Sequence, residues 1–221
     1  MLGERTKENS FPARWQSHTF RWKNYIEAFS KEEYTIYALD APAHGLSGGN
    51  YINLPLYSRV IEHFINQVHP LHAVISHSFG SFAMLYTFYR MPHLPVERLV
   101  ITGTPGEAND FMEFYRNVLG LSTYTMKAVL NYLEQIIHHP PEFFSAARFA
   151  AAVPVRGLII HDEKDEETPY QYAKAIHEAW KESHLITTTG LGHNLKSREV
   201  IVRVMDFVKE RETSSKADAA G

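Results

Sequence analysis

With 221 residues, 44% of them hydrophobic and 21% charged, the chain has the composition of one globular domain able to bury a substantial core. A formal net charge of -3 gives no electrostatic reason to expect nucleic acid or an acidic membrane as partner. The absence of cysteine excludes a disulfide framework, thiolate catalysis and zinc–thiolate sites.

Residues 1–7 hold no apolar core of signal-peptide type, and no apolar run approaches membrane-spanning length, so a cytoplasmic location is expected. Residues 1–14 lack periodicity and read as an irregular N-terminal segment, with the domain proper over 15–210. Residues 16–29 read as a helix carrying Phe20, Trp22, Tyr25, Ile26 and Phe29. A strand over 34–39 leads into a loop at Asp40, and a helix over 56–68 places Val60, Ile61, Phe64 and Ile65 on one face. His72-Ala73-Val74-Ile75 is short and apolar with β-branched residues, the pattern of a buried strand, and residues 81–90 follow as a helix without a breaker. After a strand at 98–102 comes a helical stretch over 109–149, interrupted by Gly120 and by His139-Pro140-Pro141. Strands at 156–161 and 184–189 alternate with helices at 171–180 and 198–210, and residues 211–221 read as a disordered tail. Alternating strands and helices specify an α/β fold, a mostly parallel open sheet with helices on both faces.

The chemistry centres on Ser76-His77-Ser78-Phe79-Gly80, which joins the 72–75 strand to the 81–90 helix. A serine at such a turn is lifted above the sheet's carboxyl edge, beside the N–H groups that open the helix. Small residues two before and two after it, here Ser76 and Gly80, let strand and helix pass closely. A serine nucleophile needs a histidine base, and the base needs a carboxylate to fix its tautomer. Both follow in order and in the right loops. Asp162, Glu163, Asp165 and Glu166 come after the 156–161 strand, and Gly190-Leu191-Gly192-His193 comes after the 184–189 strand.

These residues resemble the α/β-hydrolase fold family, in its lidded serine esterase-like branch. Asp40-Ala41-Pro42-Ala43-His44-Gly45-Leu46-Ser47 is similar to the family's Asp-x-x-x-His-Gly-x-Ser loop. Ser76 to Gly80 resembles the nucleophile elbow, His161 to Pro169 the His-Gly-x-x-Asp-x-x-x-Pro acid loop, and Gly190 to His193 the Gly-x-Gly-His loop. The resemblance spans residues 15–208. It implies a helical lid at about 107–150 and a triad of Ser78 as nucleophile, Asp165 as acid and His193 as base. It also implies an oxyanion hole from the backbone N–H groups of Phe79 and Trp15, with no metal or organic cofactor. The implied activity is cleavage of a carboxylic ester or related acyl bond in a small-molecule substrate. His77, Phe111, Phe114 and Tyr115 are candidates for the substrate site.

Each role has a plainer competitor. Ser78 is also placed to cap a helix, and Asp162, Glu163 and Glu166 compete with Asp165. His44 reads as structural, and His138-His139 lack a third metal ligand at sensible spacing. The front departs from the family: Ala13-Arg14 stand where His-Gly is usual, and no strand-like run precedes them. The expectation is a chain lacking the family's first strands, including the central one. That departure leaves open a non-catalytic binding or regulatory protein; separately, an acyltransferase or perhydrolase using the same triad stays open because nothing in the sequence distinguishes the acyl acceptor.

Overall fold

The computed structural model describes residues 7–12, 19–29 and 34–210. Its sheet has six strands in the order β2-β1-β3-β4-β5-β6. These are β1 Lys7–Pro12, β2 Tyr34–Leu39, β3 Leu71–His77, β4 Val96–Thr102, β5 Arg156–Asp162 and β6 Ser183–Thr188. Every pairing is parallel. Parallel strands covered on both faces need apolar residues on both, and β3, β4 and β5 supply near-continuous apolar runs.

Successive side chains of a strand point to opposite faces, so each central strand feeds two cores. Val74, Leu99, Ile101 and Ile159 enter one, with Tyr57, Ile61 and Ile65 of α2 (Leu54–Val68) and Met84 and Phe88 of α3 (Phe79–Arg90). Ala73, Ile75, Val100, Leu158 and Ile160 enter the other, with Trp22, Phe29 and the apolar stripe Val200, Val204, Phe207 and Val208 of α8 (Arg198–Lys209). The short α1 is Lys23–Ala28 and follows a 3-10 turn at Thr19–Trp22. Among the described residues, no helix is long and apolar enough to cross a membrane.

One expectation is corrected. The irregular segment read over residues 1–14 contains β1, which lies between β2 and β3 where the central strand was thought to be missing. Lys7 to Pro12 pairs residue for residue with Tyr34 to Leu39, and Asn9 and Ser10 pair with Ala73 and Val74. A strand flanked on both sides is held through backbone N–H and C=O groups, which leave no mark in residue type. Pro12, which has no N–H to donate, is the strand's last residue and pairs with Leu39 of β2 alone. The antiparallel leading strands that the resemblance implies have no counterpart among the described residues. The tail at 211–221 lies outside them.

Between β4 and β5 the chain forms α4 (Ala108–Val118), α5 (Thr123–Ile137) and α6 (Ala146–Ala150). Ser122 caps α5 by accepting from Thr125 N, and His138 in the left-handed region ends it. The insertion is pinned at its base. Ala146 N–H donates to Gly106 O (2.7 Å), Ala108 N–H to Phe144 O (3.0 Å) and Ser145 Oγ–H to Glu107 Oε1 (2.7 Å). Beyond β5 lies α7 (Tyr170–Ala179), followed by Trp180, whose indole N–H donates to Val155 O at 3.0 Å.

That anchored indole lies against the backbone of β5. A Cβ on Gly157 would stand 2.1 Å from Trp180 Cζ2, and the ring is fully buried. Gly157→Ala is therefore expected to destabilise the fold by about 1–3 kcal/mol through overpacking. A lowered urea midpoint at unchanged slope in equilibrium unfolding checks this.

Candidate active site

The β3 strand ends at His77, and the chain turns at Ser78 with φ +53° and ψ -127°, an unfavourable conformation for a residue with a Cβ. Ladder and helix hold it there. Ser78 N–H donates to Thr102 O (2.8 Å), and Ser78 O accepts from Ser81 N–H (2.9 Å) and Phe82 N–H (3.1 Å). Ser76, standing where the family has glycine, is fully buried, and its hydroxyl is satisfied. It donates to Val100 O (3.1 Å) and accepts from Ser81 Oγ (3.2 Å). Phe79 is the first residue of α3, a position at which the helix itself offers its N–H no acceptor.

The loop after β5 presents two buried aspartates with different surroundings. Asp162 accepts from Lys164 N–H (3.0 Å), Gly190 N–H (3.2 Å), Leu191 N–H (2.8 Å) and Thr188 Oγ–H (2.8 Å). It ties the acid loop to the loop after β6. Burial pushes its pKa up, but these hydrogen bonds outweigh burial and hold it below the usual carboxylate range. Asp165 instead turns to His193. Its Oδ2 accepts from His193 Nδ1–H (2.8 Å) and Thr168 Oγ–H (2.7 Å), and its Oδ1 from Glu167 N–H and Thr168 N–H (both 2.9 Å). Here too burial raises the pKa, and the bonds from His193 and Thr168 bring it below the ordinary value. Glu163 accepts from Thr189 Oγ–H and is exposed, as is Glu166.

His193 is delivered by a loop with Gly190 at φ +82° and Gly192 at φ +57°. A carboxylate only accepts, so Nδ1 carries the proton and Nε2 accepts from Ser78 Oγ–H at 3.0 Å. Ser78, His193 and Asp165 thus form one hydrogen-bonded line at the carboxyl edge of the sheet. Gly103, at φ +53°, makes room for the base, since a Cβ there would lie 3.0 Å from His77 Cε1 and 3.3 Å from His193 Cε1.

The remaining candidates divide. Phe111 of α4 lines an apolar cavity of about 160 Å³ over the first turn of α3. Phe114 is 48% exposed and His77 fully buried, and neither lines that cavity. His77 packs against His193, ring centroids 4.8 Å apart, with Nδ1–H donating to Thr102 Oγ1 at 2.9 Å. Trp15 and the side chain of Tyr115 lie outside the described residues. His44 donates from Nδ1 to Pro42 O (2.8 Å) within its own loop, and His139 stacks on Phe143. Among the described residues no three His, Asp or Glu side chains are grouped to hold a metal ion.

Residue type alone did not mark Thr168, Glu167 or His161 as neighbours of Ser78, His193 and Asp165. Thr168 stands just before Pro169, and its hydroxyl also lies 3.1 Å from His193 Nδ1. Glu167 brings Oε2 within 3.7 Å of His193 Nε2. His161 is fully buried, donates from Nε2 to Thr168 O at 2.7 Å and lies 3.4 Å from Asp165 Oδ2.

A parallel α/β sheet carrying a serine at a strained strand-to-helix turn, with carboxylate and histidine on later loops, defines a class of open-sheet proteins. The chain belongs to the alpha/beta hydrolase family, whose model matches residues 11–202. Similar solved structures include a bromoperoxidase from Bacillus anthracis, 14% identical with a TM-score of 0.73, each chain covered to 93%. An esterase from Exiguobacterium antarcticum is 16% identical with a TM-score of 0.72, each chain covered to 92%. A serine hydrolase involved in carbazole degradation is 16% identical with a TM-score of 0.70, covering 93% of this chain and 92% of that one. At these identities the likeness is one of fold. No curated protein sequence matches the chain significantly.

Burial lowers the pKa of His161, partly opposed by the Thr168 carbonyl and by Asp165, so folding favours the neutral ring. A depressed folded pKa means stability is fully present above the unfolded value, about 6.5, and is lost as pH falls below it. His161→Gln is expected to lose less stability than the wild type between about pH 7 and pH 5. Urea midpoints measured across that range check this.

Proposed function

We propose that the protein is a serine hydrolase that cleaves a carboxylic ester, or a related acyl bond, through an acyl-enzyme on Ser78. The observation that carries this reading is the unbroken line from Ser78 Oγ to His193 Nε2 (3.0 Å) and from His193 Nδ1 to Asp165 Oδ2 (2.8 Å). His193 takes the Ser78 proton as Oγ attacks the carbonyl carbon, and Asp165 holds the tautomer and balances the imidazolium. The tetrahedral intermediate expels the alcohol, which leaves with the proton from His193. Water, deprotonated by the same nitrogen, then releases the carboxylic acid and restores Ser78.

The Phe79 N–H is assigned to the oxyanion. The resemblance assigns a second donor to Trp15, and losing one such donor costs ~100- to 1,000-fold in rate. The non-catalytic reading rested on a missing central strand and on Ala13-Arg14 in place of His-Gly; β1 removes the first ground, and Ala13-Arg14 lie outside the described residues.

Ser78→Ala is expected to abolish both labelling by a fluorophosphonate probe and hydrolysis of p-nitrophenyl butyrate, with unchanged circular dichroism. Asp165→Asn should lower kcat by about 10,000-fold, because the imidazole loses its fixed tautomer. Steady-state kinetics of the purified variants test both, and a wild-type protein that neither labels nor hydrolyses the ester would end this reading.

A further inference from the structure

The apolar cavity over the first turn of α3, whose lining includes Phe79 but neither Ser78 nor His193, has walls that specify what it takes up. Its floor is Phe79 and Phe82, one turn apart at the start of α3, and facing it are Phe111 of α4 and Leu133 and Ile137 of α5. The Phe79 ring is held between aromatic neighbours. Phe111 lies nearly parallel to it (6.4 Å between centroids, 13° between planes), and the buried Tyr57 stacks at 6.2 Å and 27°. The floor is therefore fixed while the facing wall belongs to the lid.

The cavity measures about 160 Å³. An aliphatic and aromatic cavity of about 150 Å³ holds one benzene ring, whereas pockets for drug-sized ligands run from about 300 Å³ upward. Two carboxylates, Glu107 and Glu134, line this cavity, together with the His139 imidazole, which stacks on Phe143. Glu107 accepts from Ser145 Oγ at the base of the lid, and Glu134 is exposed on α5. Among the described residues no lysine or arginine lines it. A carboxylate carried into this space would lose its hydration and face Glu107 and Glu134, with no lysine or arginine to offset them.

We propose that this cavity is the acyl subsite and that it selects an uncharged acyl group of about four to six carbons or a single aromatic ring, the volume that benzene sets. The assignment rests on the acyl-transfer reading. The oxyanion donor there is Phe79 N–H, so the carbonyl substituent leaves Ser78 alongside the residue whose ring forms the floor. Butyryl, hexanoyl and benzoyl esters fit; long-chain acyl groups and half-esters of dicarboxylic acids do not. Phe111 and Leu133 set the limit as specificity-determining residues.

The test has a kinetic arm and a binding arm. Across p-nitrophenyl esters from acetate to decanoate, kcat/KM should rise at least about tenfold from acetate to hexanoate and fall again by decanoate, the scale on which apolar pockets count methylenes. Benzoate should be cleaved well, and a succinate half-ester at least about tenfold worse than butyrate. Phe111→Ala should raise decanoate relative to hexanoate about tenfold, and Leu133→Phe should move the optimum toward acetate. Binding is read without chemistry: toluene should raise the melting temperature of Ser78→Ala protein, and Leu133→Phe in that background should remove the rise. Ester cleavage with a flat chain-length profile, a preference for the half-ester, or no toluene effect overturns this inference alone. Toluene binding in a wild-type protein that cleaves no ester and takes no fluorophosphonate overturns the acyl-transfer reading, and the acyl role falls with it.

Discussion

Ser78 is held in a backbone conformation that a residue with a side chain avoids, and much of the molecule is arranged around that constraint. The turn exists because β3 delivers it at the carboxyl edge, where Ser78 N–H finds Thr102 O on the neighbouring strand. Below it, Ser76, Ser81 and Thr102 form a buried network. Ser81 Oγ donates to Ser76 Oγ and accepts from Thr102 N–H, and Thr102 Oγ donates to Ser76 O. Every polar group in that network has a partner, which makes a polar cluster tolerable in the tightest part of the core. A serine is thus accommodated where a glycine is usual, because its hydroxyl completes the network.

The two aspartates of the acid loop show environment assigning roles to identical side chains. Asp162 receives three backbone N–H groups and a hydroxyl, and acts as a clamp across two loops. Asp165 spends one oxygen on loop amides and aims the other at His193. Both are kept ionised by hydrogen bonds that outweigh burial. The clamp matters to the geometry of the base, since Gly190 and Leu191 precede His193 by only three and two residues. The helical insertion between β4 and β5 completes the arrangement from the other side. Its base is fastened by the Glu107–Ser145 bridge, while Phe111 closes over Phe79.

The sequence by itself determined the parts whose signal is local. Apolar, β-branched runs marked β3, β4 and β5. The Ser76 to Gly80 turn, and the order of serine, acid and histidine in successive loops, marked the residues that the structure brings into one hydrogen-bonded line. What only the tertiary structure decided is whatever depends on a distant partner. Lys7 to Pro12 becomes a strand because neighbours on both sides supply backbone acceptors and donors, which no periodicity in the segment announces. Asp162 is a clamp because Leu191 N–H, 29 residues away, reaches it. His77 faces the base, and Phe114 lies off the cavity, because strand alternation and helix rotation were fixed by packing against other elements. Residue type states what a side chain is able to do; its partners across the fold settle which of those things it does.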